Sequence, residues 1–136
     1  MKNVFLVGVA AALLSATSVS AAQTAIVCEI KGAKNGQWIS PEYRFEWEKG
    51  STKAEILDGV AYHYNKGPAT GKVIRETEKK VAIDWVLKSA KDSDGNSVQF
   101  NYAMSYNKTN NRLRVVARPI GYANEFGRNG KCKLVE

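Results

Sequence analysis

Val98-Gln99-Phe100-Asn101-Tyr102-Ala103-Met104-Ser105-Tyr106-Asn107 alternates large apolar residues with small or polar ones. Successive side chains of an extended chain point to opposite faces. Val98, Phe100, Tyr102, Met104 and Tyr106 therefore share a buried face, with Gln99, Asn101, Ala103, Ser105 and Asn107 on the wet one. The same period runs through Tyr43, Phe45 and Trp47, set against Glu42, Arg44, Glu46 and Glu48. It recurs in Val81, Ile83, Trp85 and Leu87 against Ala82, Asp84, Val86 and Lys88.

Weaker strands are expected over Thr24–Lys31, Lys53–Asp58, Val60–Tyr64, Lys72–Glu78, Arg112–Arg118 and Gly130–Val135. Turn residues fall between them, at Asn35-Gly36, Lys49-Gly50, Asp58-Gly59, Gly67-Pro68, Asp94-Gly95 and Asn110-Asn111. No convincing helical stripe follows the amino-terminal segment. The pattern predicts an all-β, antiparallel domain of about eight short strands.

Two cysteines, Cys28 and Cys132, stand in the first and last expected strands. A disulfide needs Cα atoms within about 7 Å, so the pairing sets first strand beside last. That is the closure of an up-and-down β-barrel, which also removes exposed sheet edges. A β-sandwich is the alternative.

An oxidising compartment is implied by the amino terminus. Lys2 precedes an apolar run from Val4 to Leu14, and small residues from Ser15 to Ala22 complete the form of a cleavable signal peptide over residues 1–22. The run is far short of the roughly twenty residues that span a bilayer, so no transmembrane segment is expected. The mature chain, residues 23–136, reads as one domain, periplasmic or secreted, and a monomer is expected.

The chain of 136 residues carries 20 Lys and Arg against 13 Asp and Glu, a net charge of +7. A basic surface favours anionic partners. Nucleic acid is excluded by export rather than by charge.

Catalytic and metal signatures are not found. His63 is the single histidine, expected on a strand face opposite Tyr62 and Tyr64, with no partner at a ligand or triad spacing. Asp92-Ser93-Asp94-Gly95-Asn96 begins like a calcium loop, but Ser97 and Ala103 occupy the positions of its glycine and closing glutamate. No Gly-x-Ser-x-Gly elbow is present. Asp58, Asp84, Glu42, Glu46 and Glu48 are placed mostly outward. Asn107-Lys108-Thr109 matches a glycosylation acceptor but is explained by a hairpin turn. The expectation is a non-enzymatic protein with no cofactor and no metal.

Two features suggest binding. Arg112, Arg114 and Arg118 form a basic stripe on one strand face, with Glu42, Glu46 and Glu48 expected on a neighbouring strand to pair with them. Residues 119–130 hold Tyr122 and Phe126 among three glycines, close to Arg118 and Arg128. Aromatics beside cations suit a flat or anionic ligand, while the same loop could close the barrel end as a lid.

The order Cys28, Trp38-Ile39-Ser40-Pro41, Gly67-Pro68, Asp84-Trp85, Ala117-Arg118-Pro119-Ile120-Gly121-Tyr122 with Asn124 and Phe126, and Cys132 resembles small exported bacterial proteins of uncharacterised function. The resemblance implies a periplasmic β-rich domain and brings no site residues. The expected function is binding of an apolar or aromatic small ligand, or of an envelope component. Trp85 and Tyr102 are candidate pocket residues inside the barrel, and Tyr122, Phe126, Arg118 and Arg128 are candidates at its end. The alternative is a protein-interaction module, such as an inhibitor of a secreted enzyme, contacting through the 119–130 loop.

Overall fold

The computed structural model describes residues 23–135, and the expected signal over 1–22 lies outside them. Eight strands, β1 (Gln23–Ile30), β2 (Glu42–Glu48), β3 (Lys53–Asp58), β4 (Ala69–Glu76), β5 (Lys80–Lys91), β6 (Ser97–Asn107), β7 (Arg112–Pro119) and β8 (Phe126–Val135), follow one another around the sheet. Every neighbour is antiparallel, and β1 pairs with β8 to close an up-and-down barrel. The barrel is therefore the architecture, and the sandwich alternative is set aside. Among the described residues no helix is long and apolar enough to cross a membrane.

Period-two alternation decides which side chains enter the barrel. In β6 every second residue from Val98 to Tyr106 is buried, and β2, β3, β5 and β7 repeat the pattern. Register shifts between Val73 and Arg75 in β4 and between Leu87 and Ala90 in β5 interrupt the ladders, and such bulges let a sheet bend.

The interior is filled. Ile26, Tyr43, Phe45, Ile56 and Ile83 have no accessible surface at all, so no water-sized space touches them. Trp85 and Tyr102 stack on one another at 5.1 Å with planes 4° apart, a favourable offset arrangement for aromatic rings. Phe45 lies against Trp47 and Tyr106 nearer the other end.

Cys28 and Cys132 face one another across the closing seam and are disulfide-bonded. The bond spans a sequence separation of 104 residues.

One expected strand is a helix. Val60–Tyr64 falls within α1 (Gly59–Asn65), between β3 and β4. Asp58 starts it by accepting the backbone N–H groups of Val60 and Ala61, the bond set of an N-cap. Lys66 stops it with a left-handed backbone and an N–H donated to the Tyr62 carbonyl, as helix C-termini commonly end. Val60 and Ala61 bury one side of its first turn. Within this helix His63 sits edge-on to Tyr64 at 4.7 Å, not on an opposite strand face.

Candidate functional site

The barrel has two unlike ends. The lower end carries the short turns at 49–52, 77–79 and 108–111, and the upper end the longer connections at 31–41, 59–68, 92–96 and 120–125.

The lower end is locked by Glu76. Its carboxylate accepts from Trp47 Nε1 at 2.9 Å, the Gly50 N–H at 3.1 Å and Lys108 Nζ at 2.9 Å. Partial burial works against the charge, but these donors and the Lys108 ammonium outweigh it and hold the carboxyl at about 2. Lys108 also donates to the Thr77 carbonyl, tying two turns together.

The upper end is closed by Trp38, on the loop between β1 and β2. Its indole lies 4.2 Å from the Phe100 ring and 5.9 Å from Tyr64 of α1. Its carbonyl accepts the Tyr102 hydroxyl at 2.7 Å. Burial pushes the Tyr102 phenol well above its ordinary value, so it stays a proton donor.

Beneath this plug lies a buried polar cluster. Ser40 Oγ donates to Asp58 Oδ2 at 2.6 Å and accepts the Val60 N–H at 3.2 Å, while the Ser40 N–H reaches Tyr43 Oη at 3.3 Å. Asp58 is 6% exposed, the exception among the acids expected outward. Burial raises its pKa, against the bonds from Ser40, Ala61 and Val60. Burial first, and then the neighbouring Asp58, push the Tyr43 phenol upward. Each buried polar side-chain atom of this cluster has a hydrogen-bond partner, and the bonds tie the 31–41 loop and α1 to the barrel.

Two clefts flank Trp38. One, of about 350 Å³, lies between the 31–41 loop and α1 and is lined by Lys34, Gln37, Trp38, Pro41, His63 and Tyr64. The other, of about 620 Å³, lies between the same loop and β8, beside Phe126 and Arg128.

The candidates read from the sequence separate into two groups. Trp85 and Tyr102 are core residues at 4% and 2% exposure. Tyr122 and Phe126 are at the upper end and exposed, at 62% and 39%. Within residues 119–130, Pro119 ends β7 and β8 begins at Phe126; Trp38 and α1 cover the barrel end, and Tyr122 and Phe126 line a shallow hollow beside Trp38, Val98 and Phe100. Arg128 lines the larger cleft, and Arg118 Nε is engaged by Glu125 Oε2 at 3.0 Å.

Arg112, Arg114 and Arg118 do share the outer face of β7, but the expected acidic neighbours are elsewhere. β7 lies between β6 and β8, and the stripe faces Asn107, Ser105 and Asn101 on one side and Lys131 and Asn129 on the other. Glu42, Glu46 and Glu48 are on β2, where Glu46 meets Arg44 of its own strand at 3.4 Å. Arg114 instead bonds Asn129 Oδ1 at 3.2 Å.

The turn chemistry is spent locally. Asp92 Oδ1 accepts the N–H groups of Asp94 and Asn96, and Asn107 Oδ1 accepts from the Thr109 backbone and hydroxyl.

Trp38 and Ser40 belong to a motif of the resemblance but were given no site role, and Lys34 and Tyr64 were not among the candidate site residues. The available signal was a Trp-Ile pair between Gly36 and Pro41, two bulky apolar residues in an otherwise polar loop. No family model matches the chain, and no curated protein or solved structure is found to be similar to it.

Proposed function

We propose that the protein is an exported, non-enzymatic binding domain that takes a planar aromatic, negatively charged group of its ligand at the upper mouth, beside Trp38. The observation that carries this reading is the half-buried Trp38 indole, which walls a cleft of about 350 Å³ together with Tyr64, His63, Pro41 and the Lys34 side chain. A volume in this range suits one small ring system, and a few polar groups around an apolar wall suit orientation of a ligand. A guest must lodge at the rim, because the barrel's own aromatics occupy its axis. Export is supported by the signal-like residues 1–22 and by the disulfide, a bond that persists in oxidising compartments.

The alternative, a protein-interaction module using the 119–130 loop, is favoured by the exposed Ile120 and Tyr122. Naphthoate titrated against tryptophan fluorescence separates the two. On the first reading Trp38→Leu loses about tenfold or more in affinity. Lys34→Glu, an exposed change that leaves the fold intact, loses severalfold in a salt-dependent manner. Tyr122→Ser leaves naphthoate binding unchanged. Binding that survives Trp38→Leu and Lys34→Glu but fails with Tyr122→Ser refutes the first reading in favour of the second.

A further inference from the structure

β8 is paired unevenly along its length. From Gly130 to Val135 it pairs with β1, with Ile30 opposite Gly130 and Ala25 opposite Val135, and only Gly130 and Lys131 have β7 on their other side as well. From Phe126 to Asn129 it keeps β7, with Ala117 opposite Phe126. On the other side β1 has ended. The Ile30 N–H turns to the Pro41 carbonyl at 2.8 Å, and Lys31 N–H to Asn129 O, at 2.9 Å, is the last bond across the seam.

Backbone groups alternate sides along an antiparallel strand. The Cys132 N–H bonds Asn111 on the β7 side and the Asn129 carbonyl bonds Lys31 on the seam side. Gly127 therefore turns its N–H and carbonyl to the seam, where no strand among the described residues pairs with it. These groups open on the cleft of about 620 Å³ lined by Gln37, Trp38, Ile39, Glu125, Phe126 and Arg128. An unpaired strand edge is a template for another extended chain.

The charged residues lining the opening are Arg128 and Glu125. Arg128 is exposed and, among the described residues, in no ion pair, and Lys31 and Lys34 are exposed on the facing loop. Glu125, the acid of the cleft, is paired with Arg118 at 3.0 Å, which leaves Arg128 as the cation without a partner among the described residues. A second copy of this chain would bring the same cations and a net positive charge against them.

We propose that this seam is a strand-addition site: an extended acidic peptide segment of a partner protein pairs with the Gly127 backbone of β8. On alternate positions its side chains meet Arg128 and lie against Trp38 and Phe126. Phe126 and Arg128 share one strand parity, so an acidic and an aromatic residue two apart on the peptide reach them together. This site lies on the opposite side of Trp38 from the small-ligand cleft and shares Trp38 with it, while its backbone pairing rests on Gly127 alone.

The test uses the disulfide-bonded protein and a blocked heptapeptide, threonine-glutamate-valine-tyrosine-valine-glutamate-threonine, followed by amide NMR and hydrogen exchange. In the free protein the Gly127 amide should exchange much faster than the amides of β6. On titration it should shift and become protected. N-methylating the alternate peptide amides that face the seam should weaken binding about tenfold or more. A lysine-for-glutamate peptide should bind several-fold more weakly, and Arg128→Glu should invert that preference. The proposal is overturned if Gly127 is already protected in the free protein, if no peptide binds, or if the N-methylated peptide binds equally well. A dimer that forms on concentration and protects Gly127 without peptide would assign the edge to a second copy instead.

Discussion

Reducing the Cys28–Cys132 disulfide should destabilise the barrel without altering its packed interior. The bond joins residues 104 apart in sequence and directly opposite in register. Closing a loop of that length removes chain entropy worth about 4–5 kcal/mol from the unfolded state, an upper figure. A domain of this size is stable by only about 5–15 kcal/mol, so the loss is a large fraction. At about 4 °C per kcal/mol, the thermal midpoint should fall by about 10–20 °C. The assay is urea unfolding of the wild-type chain with and without reductant, followed by far-ultraviolet circular dichroism and by tryptophan fluorescence. Reduction should lower the midpoint and raise the slope, because the unlinked unfolded chain exposes more surface. Coincident transitions by both probes would place the effect in the unfolded state. An unchanged midpoint would refute the reasoning. So would a falling slope with separated transitions, which would mean that the native seam opens first.

Three further outcomes follow from packing and charge. The Glu76 carboxyl sits at about 2 against an ordinary 4.5, so its contribution is full above about 4.5 and is lost as the pH falls through about 2. Glu76→Gln should cost about 1–2 kcal/mol at neutral pH, allowing for screening near the surface, and should flatten the acid dependence of the midpoint across that window. Asp58→Ala strips the cap of α1 and leaves Ser40 without its acceptor. A loss of about 2 kcal/mol is expected in chemical unfolding, with faster exchange of the Val60 and Ala61 amides. In Gly130→Val the new Cβ would stand 2.6 Å from Ile30 Cδ1 and 2.7 Å from the Glu29 carbonyl oxygen. The side chain can turn away but the backbone cannot, so a loss of about 2–3 kcal/mol in urea unfolding is expected.

The fold was legible because strand period and cysteine placement agreed. Alternation in residues 98–107 assigned the inward face, and the positions of Cys28 and Cys132 set first strand beside last. The helix was not legible, because α1 has seven residues and two buried positions, too few for a stripe to show. Asp58 could have been placed correctly: Ala54, Ile56 and Asp58 share one parity, and the parity carries the carboxylate inward as surely as the isoleucine. Its acidic character suggested solvent, but the adjacent helix start and Ser40 supply the donors that burial requires. The partners of the arginine stripe also followed from topology. In an up-and-down barrel the seventh strand touches only the sixth and eighth, so acids on β2 were out of reach. Trp38 was hidden for a different reason. It lies on a connection, and no periodicity reports which loop residue folds back over a barrel end.

The central claim, a filled barrel that binds at its rim, is tested most directly by the three tryptophan indole N–H resonances during a naphthoate titration. Trp38 is half-buried at the mouth, whereas Trp47 and Trp85 are 3% and 4% exposed inside the barrel. The account predicts a saturable shift of the Trp38 indole, with those of Trp47 and Trp85 essentially still. A shift of Trp85 comparable to that of Trp38 would mean that the interior admits the ligand, and it would contradict the account.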